Sequence, residues 1–321
     1  MTTEQMHYDE RDLRAIEASG RLDANEGIFF ARQLEYIRPK TYDVKRAQLN
    51  AIALMPVDIS TNPGAEFITY RQYDQVGIAK IIANYADDLP RADVTGKEFT
   101  SPVRGIGDSY GYSVQEIRAA QYTGTDLSSK KQAAARRAHD ELINKLAWFG
   151  DATSGLPGLL SNVNIPGYTV PAVGTGTSKL WTTKTPDQII ADMNGIVNQV
   201  TTQSKGIHKA NQLWLPLAQY TYIGSVPRSA TSDTTILEFF KMNNPGVEVK
   251  PVLELAGAKA GPLDTMMALE NSIDNFQLNL AMLFLQHAPQ QRGLEFVIPC
   301  ESRFAGVTVE YPLSMAIADS I

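Results

Sequence analysis

Catalysis in this chain would have to start from four histidines, one cysteine and a few carboxylate clusters. His7, His139, His208 and His287 are scattered singly, and none belongs to a His-x-x-x-His or His-Glu-x-x-His spacing. A zinc site on one helix face therefore has no ligand set. His139 sits beside Asp140 in a helical stretch and is expected on that helix's surface. Cys300 has no second cysteine, which excludes an intrachain disulfide and a cysteine-only metal site. It reads as a small buried apolar side chain. Gly-x-Ser-x-Gly, the mark of a nucleophile elbow, is absent. Asp87, Asp88 and Asp151 could offer oxygens to a hard cation, but adjacent acids in a turn more commonly face solvent. Paired carboxylates do acid–base work only when burial separates their pKa values, and no pattern here points to such burial. The chain is expected not to be an enzyme and to carry no metal or cofactor.

Three glycine-rich stretches invite comparison with phosphate loops. Gly105-Ile106-Gly107-Asp108-Ser109-Tyr110-Gly111 is one residue too long for the dinucleotide pattern and leads into a strand, whereas that pattern must open a helix. Gly174-Thr175-Gly176 has no helix start beside it. Thr95-Gly96-Lys97-Glu98 lacks both the upstream glycine and the hydroxyl of a phosphate loop. All three are expected to be turns.

The elements that must position these residues follow from periodicity. Leu127, Ala134, Ala138, Leu142, Leu146 and Phe149 fall on one helical stripe. They predict a helix over 126–149, capped by Asp126 or Ser128 and stopped by Gly150 in the left-handed conformation. Its length is about 33 Å at roughly 1.5 Å per residue. Lys130, Lys131, Arg136 and Arg137 alternate with Asp140 and Glu141, which makes a solvated or subunit-facing surface rather than a nucleic-acid stripe. Upstream, Phe67–Tyr70 and Tyr110–Val114 are aromatic and β-branched runs, read as the strands of a projecting hairpin with its tip near 87–98. Downstream, a Gly- and Thr-rich loop over 166–185 marks a boundary. Pro186 opens a helix with Ile189, Met193, Ile196 and Val200 on its apolar stripe. Strands are expected at 212–215, 247–253, 266–270, 277–286, 294–298, 307–311 and 313–317, with a helix over 234–242 capped by Asp233 and a loop tip over 257–262.

With 321 residues, 43% hydrophobic and 20% charged, the chain is globular and long enough for one large domain or two moderate ones. Its formal net charge of −6 and pI of about 5.3 disfavour a phosphate-gripping surface. Residues 1–20 lack the basic and apolar regions of a signal peptide, and the apolar run 278–285 is far below the roughly 20 residues of a membrane span. A soluble protein made in a reducing compartment is expected.

The order of parts then becomes diagnostic. Lys131-Gln132-Ala133-Ala134-Ala135-Arg136-Arg137, Phe149-Gly150-Asp151 followed by Gly155-Leu156-Pro157-Gly158-Leu159-Leu160, and Ile236 through Pro245 together resemble the major capsid proteins of tailed bacteriophages. The similarity is to the branch long filed as a domain of unknown function. The resemblance implies an α+β, Hong-Kong-97-like fold: an N-terminal arm (1–50), an extended loop or E-loop (51–122), a peripheral domain with the spine helix (123–185), an axial αβ domain (186–300) and C-terminal strands returning to the peripheral domain (301–321). It implies a structural subunit that assembles into pentamers and hexamers around packaged double-stranded DNA, in the virion, after assembly in the host cytoplasm. An encapsulin-type shell around a protein cargo is the alternative. Subunit contacts are expected at the E-loop tip (Asp87, Asp88, Arg91, Lys97), the axial loop (Lys259, Asp264) and the N-arm (Phe29, Phe30, Leu34). Without the long helical segment that precedes the arm in some relatives, a separate scaffolding protein is expected, beside a portal and a possible decoration protein. DNA would be enclosed without sequence-specific binding, and no membrane or cross-linking Lys–Asn pair is expected.

Overall fold

The spine stretch does form the predicted helix, but turned about its axis. In the computed structural model the described residues are 45–77, 91–124, 127–173, 178–229, 231, 233–258, 263–319 and 321; those from Gln48 onward belong to one unit, Gln48–Ile321. Short helix α1 (Ala51–Leu54) and strand β1 (Val57–Asp58) come first, then strands β2 (Phe67–Val76), β3 (Asp93–Pro102) and β4 (Arg104–Ser113), helix α2 (Val114–Thr123) and the spine helix α3 (Leu127–Phe149). The buried stripe of α3 is Ala135, His139, Ile143 and Ala147, with Trp148 beside it, whereas Leu142 and Phe149 remain about 40% exposed. The buried line is set by what the sheet behind presents, and His139 is admitted there because Ser302 Oγ lies 2.8 Å from its Nδ1. Gly150 stops the helix at φ 67° as expected. Of the two expected caps, Asp126 lies outside the described residues and Ser128 falls inside the helix.

Behind α3 lies a sheet in the order β1-β8-β10-β4, in which β8 spans Phe276–Gln286 and β10 spans Glu295–Val309; β9 (Gln290–Arg292) pairs with one end of β10. The two strands expected at 294–298 and 307–311 are parts of the single strand β10. Its pairing with β8 shifts register between Glu301 and Val307, and such bulges bend a strand without ending it. Gly105 and Gly107, expected in a turn, lie within β4 opposite Arg303 and Glu301. Alternation explains them: Ile106 points to the core while the glycines face outward.

A second sheet has the order β11-β7-β5-β6, with β5 Gln212–Pro216, β6 Glu248–Val252, β7 Thr265–Leu269 and β11 Met315–Asp319. Helix α4 (Pro186–Gln203) covers it with Ile189, Met193, Ile196 and Val200, all fully buried. Thr185 and Gln188 form its capping box, with Pro186 in the first turn. Helices α5 (Leu217–Ser225) and α6 (Ile236–Asn243) carry the chain from β5 to the parallel strand β6. Thr235, rather than Asp233, caps α6 by accepting from the Glu238 N–H. The chain passes between the sheets three times, from β4 to β5, from β7 to β8 and from β10 to β11. A division at residue 300 would therefore cut β10 in half, and the last strand pairs with β7 in the smaller sheet. Residues 166–168 are not a free linker either. The Tyr168 N–H donates to the Ile317 carbonyl, and the Ile317 N–H donates to Pro166, which covers the edge of β11.

Trp148 of α3 meets Trp214 of β5 edge-on at 5.6 Å, so the spine helix and the second sheet share a core. The segment after α3 locks that core from outside. Leu159 and Leu160 donate to the Ala147 and Trp148 carbonyls, which the helix end leaves free. A side chain on Gly158 would come within 2.1 Å of the Gly150 nitrogen. Gly306, at φ +83°, lets β10 pass Pro157 so closely that Val307 N–H donates to the Pro157 carbonyl at 2.8 Å.

Candidate assembly surface

Among the described residues the histidines stand apart. His139 Nδ1 lies 2.8 Å from Ser302 Oγ, buried under α3, where the sequence had suggested a surface position. His208 pairs with Glu270 at 2.7 Å and His287 with Glu301 at 3.1 Å; His7 lies outside the described residues. Cys300 is buried, as expected, and burial pushes its thiol pKa up. The Asp151 carboxylate, a candidate cation ligand, accepts from Ser154 N–H and Oγ–H and from Thr153 N–H. Those hydrogen bonds, Ser154's side chain first, hold its pKa below the usual carboxylate range. Among the described residues no group of three potential metal ligands comes together, and no helix is long and apolar enough to cross a membrane.

Among the described residues, the one fully enclosed ion pair belongs to the core of the second sheet. Lys184 Nζ lies 2.5 Å from Asp192 Oδ2, with both side chains at least 96% buried, and Trp181 Nε1–H donates to the same oxygen at 3.1 Å. Burial raises the Asp192 pKa, and Lys184 offsets part of that rise. An ion pair so enclosed has no access for a substrate and serves to hold α4 to the segment before it.

What stands out is a ribbon. β2 and β3 pair over ten residues from Phe67↔Pro102 to Val76↔Asp93, with no other strand beside them among the described residues. The pairing differs from the expected hairpin: the partner of β2 is 93–102, while Tyr110–Ser113 pairs with β10. The first eight residues of β3 are exposed. Phe67, Tyr73 and Val94 are 61%, 65% and 58% exposed. Tyr70 stacks on Phe99 at 5.0 Å, Tyr73 lies over Gly96, and Arg71 pairs with Glu98 at 2.8 Å. Cross-strand pairs of this kind stiffen a ribbon, yet two isolated strands are marginal in water. The root is firm: Ile68 packs on Val103, Ala281 and Ala305. Tyr70 O–H donates to the Val309 carbonyl at 3.4 Å, and Arg303 donates to the Pro63 carbonyl. Glu310 lies at the same root, where burial raises its pKa; Oε1 accepts from Gln277 and Thr308, and Oε2 is buried without a partner.

The expected contact residues fall unevenly on this frame. Lys97 is inside β3 opposite Gln72, not at a tip, and Arg91 is exposed just before β3. Asp87, Asp88, Lys259, Phe29, Phe30 and Leu34 lie outside the described residues. Asp264 is half-buried and inward-turned, since its carboxylate accepts from Gln219 Nε2 at 3.1 Å. Sequence reasoning missed Phe67, Tyr73 and Val94 as surface residues, although alternation of apolar and polar residues over a strand with no second sheet to cover it was the available signal.

A long helix across a bent sheet, a second sheet joined to it and an isolated ribbon form a distinctive set. The model of the major capsid protein family matches residues 77–321. The chain belongs to the major capsid protein family. No curated protein matches it by sequence. Among solved structures, the capsid of Myoviridae phage XM1 superposes with a TM-score of 0.80 at 16% identity, over 92% of this chain and 100% of that one. The capsid of the native GTA particle gives 0.61 at 8% identity, over 92% and 97%. The virus-like particle from Pyrococcus furiosus gives 0.50 at 14% identity, over 83% and 91%. The fold is thus the expected Hong-Kong-97-like one, and this capsid protein is a structural subunit of an icosahedral shell.

Proposed function

We propose that the β2–β3 ribbon is the arm by which each capsid subunit holds its neighbour in a pentamer or hexamer. The observation that carries this reading is the ten-pair ribbon with Phe67, Tyr73 and Val94 exposed on it. A surface of that kind gains most by burial on another copy, at about 25 cal/mol per Å² of apolar area, and a head-to-tail contact of this sort closes into a ring. The N-arm (1–50), with Phe29, Phe30 and Leu34, and the loop carrying Lys259 serve as further contacts in the same reading. Residues 51–122 supply the extended loop, and the shell encloses double-stranded DNA without reading its sequence. The chain's charge of −6 supports loose containment, because tight phosphate binding needs clustered cations. Assembly takes place in the host cytoplasm, with a separate scaffolding protein, a portal and a possible decoration protein as partners.

Replacing Phe67 and Tyr73 together by Ser tests the ribbon. The subunit is expected to stay folded while rings and shells disappear from negative-stain images. Shells formed at the unaltered yield would refute the assignment. Nucleic-acid content distinguishes the contents, since purified particles holding an enzyme and no DNA would favour the encapsulin-type alternative.

A further inference from the structure

The root of the ribbon holds a buried polar network that is short of hydrogen-bond donors. Strands β8 and β10 bring Gln277, Asn279 and Thr308 together there with Glu310. Gln277 Nε2–H and Thr308 Oγ1–H donate to Glu310 Oε1 at 3.2 and 3.0 Å, and Asn279 Nδ2–H donates to Thr308 Oγ1 at 3.0 Å. Two oxygens of the network, Glu310 Oε2 and Asn279 Oδ1, are buried with no donor. An unmet buried acceptor is costly, and more so when it carries charge. A proton on Glu310 removes the charge and brings one hydrogen, and both benefits vanish when it leaves. Tyr70 of β2 has a hydroxyl to offer in its place. Burial raises its pKa and the Glu310 carboxylate adds to that rise, so the phenol stays protonated while a carboxyl titrates. Its present bond is weak: the O–H donates to the Val309 carbonyl at 3.4 Å, against roughly 2.5–3.0 Å for an ordinary O–H···O bond.

Tyr70 is also placed to move the ribbon. It faces Phe99 in the ladder, and the two rings stack at 5.0 Å with 17° between their planes, so a shift of its hydroxyl carries both strands. The packing of Ile68 on Val103, Ala281 and Ala305 is apolar and does not titrate. The charged groups around Glu310 are few. Burial raises its pKa, and Asp274, exposed in the turn before β8, adds to the rise. Gln277 from β8 and Thr308 from β10 are neutral. The Asn275 carbonyl accepts from Glu310 N–H at 3.0 Å, and beyond it the Asn275 side chain donates to Glu270 of the His208–Glu270 pair. Arg303 is engaged by the Pro63 carbonyl. We propose that loss of the Glu310 proton to solvent draws the Tyr70 hydroxyl from the Val309 carbonyl onto Glu310 Oε2 and thereby re-sets the ribbon on the sheet. A local protonation event would then bias the attitude of a whole limb. The switch belongs to the lone subunit; its consequence for ring formation rests on the reading of the ribbon as the contact within a ring.

The test uses the full-length chain as unassembled subunit, spin-labelled at Val94→Cys in the ribbon and at Ile207→Cys, positions 58% and 79% exposed; Cys300 is buried and escapes the label. Pulsed electron paramagnetic resonance reads the distance between the labels over a pH series. With Glu310 and Tyr70 intact, the distance is expected to shift once, along a single-proton titration. Glu310→Gln and Tyr70→Phe each keep the shape of the side chain, and each should make the distance independent of pH. A distance that ignores pH with both residues intact would overturn the proposal. So would a shift that persists in either variant, since another group would then titrate or another link would move the ribbon. Ring yield over the same pH series, counted in negative-stain images of the unlabelled chain, reads the consequence separately. A ribbon that moves while ring yield stays constant would count against the ribbon as the ring contact and leave the switch standing.

Discussion

Replacing Gly306 by Ala tests the lock between the spine helix and the bent strand. Gly306 holds φ +83°, a conformation that costs an L-residue about 1–2 kcal/mol. The added methyl would also lie 2.6 Å from both the carbonyl oxygen and Cδ of Pro157. Neither neighbour can step aside, because the same Pro157 carbonyl accepts from Val307 N–H. Overpacking of this kind costs about 1–3 kcal/mol. Together the two effects come to about 2–5 kcal/mol, and at roughly 2 °C per kcal/mol for a unit of this size the melting temperature should fall by about 4–10 °C. Gly257→Ala is the matched control. It has φ +59° but nothing within 4 Å of the added methyl, so it carries the backbone cost alone. Differential scanning calorimetry of the unassembled subunit reads both. Equal losses for the two variants would show that the contact with Pro157 contributes nothing, and the lock would be refuted.

Two further outcomes follow from buried charges. Asp192→Ala leaves Lys184 enclosed without a counter-ion and should cost about 3–5 kcal/mol in urea unfolding, whereas Lys184→Met with Asp192→Leu should come close to the unaltered stability; equal losses in both would show that the charge is not the cause. Burial holds the Glu310 pKa above its unfolded value, so the folded state binds the proton more tightly and stability falls as pH rises through the folded value. Glu310→Gln should therefore raise the melting temperature near neutral pH, with the gain shrinking on acidification; a gain that grows as pH falls would reverse the sign and sink the account.

Much of the frame was legible because its signals are local. The stripe of Ile189, Met193, Ile196 and Val200, the proline at the start of α4 and the glycine stop at 150 each depend on a few neighbouring residues. The resemblance carried by 149–160 also has a local cause, since Gly150 and Gly158 are needed where two backbone segments touch. The misreadings all involve partners distant in sequence. The rotation of α3 was set by Ser302 and Phe284, which lie against His139 from the sheet behind. The partner of β2 was assigned to Tyr110–Val114 because aromatic content weighed more than register, and β10 looked like two strands because its bulges interrupt the alternation. The surface residues were least legible: exposure of Phe67, Tyr73 or Tyr122 depends on what does not cover them.

The three passages of the chain between the sheets give the molecule a built-in order of completion. β7 can find β5 early in synthesis, but β11 is made only after β8, β9 and β10 have left the ribosome. The larger sheet is complete only once β10 has emerged as far as Val309, and the smaller only with β11 at Met315–Asp319, so a nascent chain offers no finished tile to its fellows. Premature polymerisation on polysomes, a hazard for any protein made in large numbers to stick to itself, is thereby held off by topology alone.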